Sequence, residues 1–342
     1  MGIEQVVQEL SQHTEQTIEA KALLKENARL RKKLAQQESG WELIRSVLED
    51  IYKRPSDLHV HPPKKSRKKH QEVAVVHLTD IHYGKETPTY DIATCERRLA
   101  KLCTAVSEIT ELRRAAAGVN ECLILLGGDN IEGEGIFPGQ AWETEVDIIS
   151  QMVKEGPEIL ANVILSLQNT YPKIRVVGVP GNHGRQHRFN SQRHNADSVF
   201  YEIIRKIIND GRIDWDLPLD RDKGRQWYAR FNITGRHEGM LIHGDQIRGQ
   251  LGFPWYGFGK KLAGWKTAPD TCGFQFLFSG HFHTHAAFEL HDSLVLSTGS
   301  VESTNCYALE NMAASGDPKQ RLCFFNESRG LLADYPILLG DV

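Results

Sequence analysis

Short runs of apolar, largely β-branched residues recur along the chain from residue 73 onward. The runs are VAVVHLTD (73–80), CLILLGGD (122–129), IRVVGVPGN (174–182), GMLIHGD (239–245), FQFLFSGH (274–281) and SLVLSTGS (293–300). Two long amphipathic segments, 91–117 and 142–169, separate the first three runs and are typical of helices. Continuous apolar strands that alternate with helices predict a buried sheet in an α/β layered fold, with one domain over residues 73–342.

The first 53 residues follow a different pattern and contain no proline. Leu23, Asn27, Leu30 and Leu34 alternate steps of four and three, the a/d spacing of a coiled coil, and asparagine at an a-like position fixes register in parallel dimers. We therefore predict that residues 1–53 form a helical oligomerisation segment that makes the chain a homodimer. The alternative is one amphipathic helix that packs on its own globular domain, since fewer than four clean heptads are present.

Residues 54–72 are predicted to form a basic linker. Pro62 and Pro63 block helix continuation, and five lysine or arginine residues follow within residues 64–69. Such a run is either a solvated linker or a contact for phosphate.

Composition limits the classes of partner. The 342 residues are 40% hydrophobic and 25% charged, with a net charge of −3, so overall electrostatics predict neither a membrane nor a nucleic-acid partner, and either would need a local patch. No apolar run approaches the length of a membrane span, and the N-terminus lacks the pattern of a secretory signal. Six scattered cysteines indicate a reducing compartment. We expect a cytoplasmic protein.

Nearly every predicted strand ends in Asp, Asn or His. The ends are Asp80-Ile81-His82, Gly128-Asp129-Asn130, Gly181-Asn182-His183, His243-Gly244-Asp245 and Gly280-His281-Phe282-His283. Because ligands bind at the carboxyl ends of strands in open α/β sheets, these side chains are expected at one rim. Carboxylate, amide and imidazole groups without thiolate suit Mn, Fe, Zn or Ni ions. Each motif alone also fits a turn or a surface histidine, but five in this order are hard to explain by chance.

The spacing of these residues predicts a chemistry. Asp129 is placed to bridge two ions through its two oxygens, and an ion pair of that kind acidifies a bound water and clamps a phosphoryl group. His183, beside the ligand Asn182, is placed to stay off the metal and to protonate a leaving oxygen.

The order D-x-H, G-D-x-x-E, G-N-H, H-G-D and G-H-x-H resembles the calcineurin-like metallophosphoesterase superfamily over about residues 73–305. The resemblance implies a two-sheet α/β sandwich flanked by helices, with two divalent ions, for which we favour Mn. It also implies that His183 is the catalytic histidine and that Glu132 orients it. By the same resemblance, the ligands of one ion are Asp80, His82, Asp129 and His283, and those of the other are Asp129, Asn182, His243 and His281.

Residues 132–140 are similar to the segment after the bridging Asp in the small exonuclease subunit of archaeal family-D polymerases. The layout also resembles double-strand-break repair nucleases and phosphoesterases of bacteriophages, and a phage origin would place the protein in a host cytoplasm. One departure is Gly184, where the superfamily has Asp or Glu, so the acid role of His183 depends more on Glu132. The basic stretch that follows is either a solvated loop or a substrate-binding segment, and we predict the latter for Arg185, His187 and Arg188. Trp255, Tyr256 and Phe258, in a predicted Gly-rich loop over 249–264, either stack on bases or pack.

Three functions fit these observations. The first is a metal-dependent nuclease, with DNA favoured as its partner. The second keeps the chemistry but acts on a small phosphodiester or phosphomonoester, such as a nucleotide or cyclic nucleotide; the negative net charge mildly favours it and the basic segments oppose it. The third is a noncatalytic subunit of a replication or repair complex, which we rank last because such subunits typically lose metal ligands and every ligand position here is filled.

Overall fold

The computed structural model describes residues 25–26, 60–137, 139–185, 195–222, 224–248, 253–302 and 317–340. Residues 25–26 are helical, and the remainder of the predicted coiled coil lies outside the described residues. The elements below belong to residues 54–342, one of the two units into which the chain divides.

Strands and helices alternate through the first half of this unit, and strands dominate the second half. In chain order the elements are β1 (Gln71–Leu78), α1 (Ile92–Arg114), β2 (Gly118–Leu126), α2 (Ile148–Val153), α3 (Glu155–Thr170), β3 (Lys173–Gly178), α4 (Ala196–Ile208), β4 (Ile213–Asp216), β5 (Tyr228–Thr234), β6 (His237–Ile242), α5 (Trp255–Trp265), β7 (Phe276–Ser279), β8 (Ala286–Leu290), β9 (Ser293–Ser297), β10 (Lys319–Asn326) and β11 (Gly330–Leu338). Each of the six apolar runs in the sequence overlaps one of these strands.

The strands form two sheets. The first has the order β11-β10-β1-β2-β3-β4 and the second β5-β6-β7-β9-β8. Strands β1 to β4 run parallel to one another, as do β6, β7 and β9. Parallel pairing aligns the carboxyl ends of neighbouring strands, so Leu78 lies opposite Leu126, and Leu126 lies opposite Gly178.

The apolar faces of the sheets bury three clusters. Between the sheets, Leu123 and Leu125 of β2 pack with Phe278 of β7 and Leu296 of β9. Helices α1, α3 and α4 cover the outer face of the first sheet, and α5 covers the outer face of the second. The predicted two-sheet α/β sandwich flanked by helices is confirmed.

The amphipathic segment 142–169 is mostly helical, as predicted, and its helical part is divided in two. Helix α2 ends at Val153 and α3 starts at Glu155, with Lys154 at φ −103° and ψ −99° between them. Pro157 has no N–H to donate and fits only the first turn of a helix, which explains the break. The prediction of a Gly-rich loop over 249–264 was wrong, because the chain is helical from Trp255 onward, in α5.

Helix α5 buries one of the three aromatic residues that were candidates for base stacking and leaves the other two exposed. Phe258 and Leu262, one turn apart, are fully buried, whereas Trp255 and Tyr256 are 55% and 84% exposed. Phe258 is therefore a core residue, and base stacking by it is excluded. Within the described ranges, no helix combines the length and apolarity needed to cross a bilayer.

The basic run lies at the edge of the sheet opposite the strand ends. Lys68 donates to the carbonyls of Arg114 and Ala115, at the last turn of α1, and the Ser66 N–H donates to Asn120 Oδ1 at 2.6 Å. Strand β1 then begins at Gln71, inside the predicted linker. An eight-residue strand is about 26 Å long, so the basic run does not flank the carboxyl ends of the strands.

Candidate metal centre

Five strands from both sheets deliver the predicted ligands to one edge of the sandwich. Backbone groups tie their loops together: the Asp80 N–H donates to Gly128 O at 3.0 Å, the His82 N–H to Asp129 O at 3.0 Å, and the His281 N–H to Asp80 Oδ2 at 3.0 Å. The strand ends of the two sheets thus form one continuous site.

The backbone at this edge adopts an unusual conformation. Asp80, His82, Asp129, His281 and His283 all have φ between 49° and 69°, in the left-handed region. That region costs a non-glycine residue about 1–2 kcal/mol, and such conformations cluster at functional sites. The sharp turns let residues two positions apart face the same point.

One ligand group contains Asp80, His82 and His283, whose ligand atoms all lie within 4.8 Å of one another. His82 Nε2 is 3.3 Å from His283 Nε2, and His283 Nε2 is 3.4 Å from Asp80 Oδ1. Ligand atoms that bind one ion at about 2.0–2.2 Å are spaced in this way.

A second group contains Asp129, His243 and His281. His243 Nε2 is 2.9 Å from Asp129 Oδ2 and 3.1 Å from Asn182 Oδ1. His243 Nδ1 donates to Gly127 O at 2.8 Å, which leaves Nε2 to face the carboxylate. Burial and the neighbouring His243 lower the pKa of His281 to about 3, so this ring stays neutral, the form that binds a metal.

The two groups contain six of the seven predicted ligands, and the seventh, Asn182, adjoins the second group through His243. Asp129 Oδ2 faces His243, while Asp129 Oδ1 accepts the His183 N–H at 2.8 Å. Its function as a bridge between two ions therefore stays a prediction.

His183 and Glu132 lie side by side next to both groups. His183 Nδ1 is 2.9 Å from Glu132 O and 3.3 Å from Glu132 Oε2, and the opposite nitrogen, Nε2, is 4.0 Å from Asp129 Oδ2. Burial alone would lower the pKa of His183, but the Glu132 and Asp129 carboxylates outweigh it and raise that pKa to about 9. The protonated ring has a proton to give on the side that faces the ligands.

The structure explains why residue 184 is glycine. A Cβ there would lie 2.2 Å from Asn195 Oδ1, and Asn195 is the N-cap of α4, whose side chain accepts the Asp197 N–H. No side chain fits between the G-N-H loop and this helix end.

Sequence reasoning missed Asp197. Its buried carboxylate accepts the N–H groups of Asp129 at 2.9 Å, Asn130 at 3.1 Å and Gly181 at 2.8 Å. It thereby joins the loops after β2 and β3. Burial and the nearby Asp129 raise the pKa of Asp197. Its only sequence signal is an acidic residue in the first turn of a helix, which usually indicates a cap.

Lys85 and Glu302 were also missed. Both are buried, and Lys85 Nζ lies 2.6 Å from Glu302 Oε2 and 3.7 Å from Glu132 Oε2. Burial alone would lower the pKa of Lys85, but Glu302 and Glu132 outweigh it and raise that pKa, so the ammonium stays charged.

The predicted substrate-binding residues are only partly described. Arg185 forms an ion pair with Asp245 of the H-G-D motif, which holds its guanidinium beside the site. His187 and Arg188 lie outside the described residues. Phe137, 46% exposed, places its ring 5.3 Å from the His183 ring, and Trp142 nearby in the chain is 91% exposed.

No protein-family model matches the chain, and neither does any curated protein. Solved structures with a similar fold include vacuolar protein sorting 29 from Cryptosporidium parvum, at 15% identity over 75% of this chain and 86% of that one, with a TM-score of 0.36. An archaeal phosphodiesterase is 11% identical over 77% of this chain and 99% of that one, with a TM-score of 0.36. A predicted phosphoesterase from Streptococcus pneumoniae is 13% identical over 78% and 98%, with a TM-score of 0.29.

All three identities are below 25%, and all three TM-scores are below 0.5. The resemblance to calcineurin-like metallophosphoesterases is carried by the chain's own structure, in which all five motifs meet at one edge of a two-sheet sandwich.

Proposed function

We propose that the protein is a divalent-metal-dependent phosphodiesterase. The observation that carries this proposal is the pair of Asp/His groups at the strand ends, next to His183, whose Nδ1 lies 3.3 Å from Glu132 Oε2. The donors fit hard or borderline divalent ions, because they are carboxylate oxygens and imidazole nitrogens without thiolate.

Asp80, His82 and His283 would hold one ion, and Asp129, Asn182, His243 and His281 the other, with Asp129 as the predicted bridge. When bound, two such ions supply an activated water and neutralise phosphoryl oxygens. Mn is the ion we favour.

The residues around the ions perform the rest of the chemistry. The backbone carbonyl and the side-chain carboxylate of Glu132 both contact Nδ1 of His183. Nε2 of His183 therefore faces the ligand groups and donates its proton to the leaving oxygen. The side chain of His283 is 31% exposed, which leaves the site accessible from that side. Arg185, held by Asp245, contributes positive charge for a flanking phosphate.

The finer proposal is that the diester belongs to a nucleic acid, with DNA favoured. Exposed Phe137 beside His183 supports it, because an aromatic face next to the proton donor suits a nucleobase of the leaving strand. The basic run at residues 64–69 supports it only for a long substrate, since the run lies at the opposite edge of the sheet. A nucleotide or cyclic nucleotide is the alternative, and the noncatalytic interpretation is disfavoured because the ligand groups are complete.

Hydrolysis assays with added Mn²⁺ test both the phosphodiesterase activity and the proposed nucleic-acid substrate. Substrates are labelled single-stranded DNA, duplex ends and bis-p-nitrophenyl phosphate, with Asp129→Asn as the site variant. Asp270→Asn is the matched control, because Asp270 is an exposed carboxylate that is paired with Arg225 and belongs to neither ligand group.

DNA cleavage that disappears only in Asp129→Asn supports the nuclease. Hydrolysis of the small diester alone shifts the substrate to a nucleotide. A wild-type protein that turns over no substrate with any divalent metal overturns the proposal.

A further inference from the structure

Two buried carboxylates contact the Nδ1 atoms of the two histidines in the first ligand group. Glu132 Oε2 lies 2.8 Å from His82 Nδ1, and Glu302 Oε1 lies 3.1 Å from His283 Nδ1. Lys85 lies between these carboxylates and contacts both of them. Its side chain is 5% exposed, and those of the two glutamates are 3% and 2% exposed.

The chain holds these three residues in place. The Lys85 N–H donates to His82 O at 3.1 Å, which closes the loop after β1. The Val301 N–H donates to Asp80 O at 3.0 Å, and Arg98 Nη1 donates to Val301 O at 2.7 Å. The segment after β9 that carries Glu302 is therefore joined directly to the D-x-H loop.

The second ligand group has a different support. His243 Nδ1 donates to the backbone carbonyl of Gly127, a neutral acceptor fixed by the loop after β2. His82 and His283 depend instead on two charged side chains that share one ammonium. Removal of a charge from this trio therefore disturbs the orientation of His82 and His283 and leaves His243 as it is.

We propose that Lys85 and Glu302 are positioning residues that preorganise the Asp80, His82 and His283 group, so that their removal weakens binding of one metal ion and spares the other. This inference rests on the proposed function only in requiring that both groups bind divalent metal. The carboxylates fix which ring nitrogen carries the proton and which faces the ion. The ammonium is needed because two glutamates buried around one site without a cation would repel each other.

The expected loss of metal affinity is estimated from other proteins. Removal of a residue that supports a metal ligand there typically weakens metal binding about 10–100-fold. Glu302→Gln keeps the shape and an acceptor for His283 but removes the charge, so we expect a loss of about 10-fold at one site. Lys85→Met removes the shared cation, and we expect up to about 100-fold. Lys85→Arg restores the charge and part of the affinity.

The test is a Mn²⁺ titration of the full-length, chelator-treated protein, followed by isothermal calorimetry and by the spectroscopic signal of free Mn²⁺. Glu72→Gln is the matched control, since Glu72 is also a buried carboxylate, paired at 2.6 Å with Arg113 rather than with a site residue. Thermal unfolding of each metal-free variant shows that it is folded before the titration.

The expected result is two binding steps in wild type and Glu72→Gln, with one step weakened in Glu302→Gln and Lys85→Met. If wild type binds Mn²⁺ in two steps and Glu302→Gln binds it identically, the inference is wrong while the proposed function stands. Equal weakening of both steps in folded variants also overturns it, because the effect would not be selective. A wild-type protein that binds no Mn²⁺ overturns the proposed function as well.

Discussion

Gly181→Ala is a single-methyl perturbation at the most crowded point of the site. A Cβ at residue 181 would lie 2.0 Å from Asp129 Oδ1 and 2.2 Å from Asp129 N. Neither atom is free to move, because the Asp129 N–H donates to Asp197 Oδ2 at 2.9 Å and Asp129 Oδ1 accepts the His183 N–H at 2.8 Å. The methyl group therefore displaces either the loop after β2 or the loop after β3.

The geometry sets the size of the effect. Extending the contact from 2.0 Å to an ordinary 3.4 Å requires a shift of about 1.4 Å. Overpacking of this kind typically costs about 1–3 kcal/mol of unfolding free energy. A displacement of about 1 Å in a catalytic geometry costs on the order of 100-fold in rate. We expect both losses in Gly181→Ala.

Two measurements on the same preparations check this prediction. Denaturant titration gives the unfolding free energy, and Mn²⁺-dependent hydrolysis of bis-p-nitrophenyl phosphate gives kcat/KM. Gly264→Ala is the control, because a Cβ at this exposed position in α5 meets no atom within 4 Å, and alanine favours a helix over glycine by about 0.5–1 kcal/mol. A Gly181→Ala protein as stable and as active as wild type would refute the close approach of residue 181 to Asp129.

Three further predictions address the acid, the loop beside it and the N-terminal segment. His183→Ala lowers kcat about 10²–10⁴-fold, because a general acid is lost, while a Mn²⁺ titration still gives two steps; loss of metal binding would make His183 a ligand instead. Gly184→Asp, which restores the residue usual in the superfamily, lowers stability by about 1–3 kcal/mol in denaturant titration, because its Cβ meets Asn195 Oδ1 at 2.2 Å. Higher activity at unchanged stability would show that the loop accommodates a carboxylate. Deletion of residues 1–53 converts a dimer into a monomer in light scattering, whereas the mass of two shortened chains would show that this segment does not hold copies of the chain together.

The strands and the Asp and His residues at their carboxyl ends were predictable because both signals are local. An apolar β-branched run followed by Asp or His specifies a strand and the residue at its carboxyl end, as at Asp80 and His243. Parallel pairing then brings those ends to one edge without further information. The prediction of two sheets came from the order of the motifs and the resemblance it carries, rather than from the hydrophobic pattern.

The supporting residues could not be predicted, because their partners are distant in the chain. Asp197 accepts the Asp129 N–H across 68 positions, and Glu302 meets Lys85 only after both sheets have assembled. A buried lysine and an acidic residue in a first helical turn carry no local signal for this role. Helix α5 was not predicted for a related reason, since three glycines within residues 257–264 concealed the helical spacing of Phe258 and Leu262.

The most direct test of a metal-dependent catalytic site measures bound metal ions and hydrolysis in the same titration. Chelator-treated wild-type protein receives Mn²⁺ in steps, and bound Mn²⁺ and hydrolysis of bis-p-nitrophenyl phosphate are measured at each step, with Asp129→Asn in parallel. We predict no hydrolysis without metal, activity that rises as the second ion binds, and none in Asp129→Asn. Hydrolysis by metal-free protein, or full activity in Asp129→Asn, would contradict the assignment of these strand ends as a metal-dependent catalytic site.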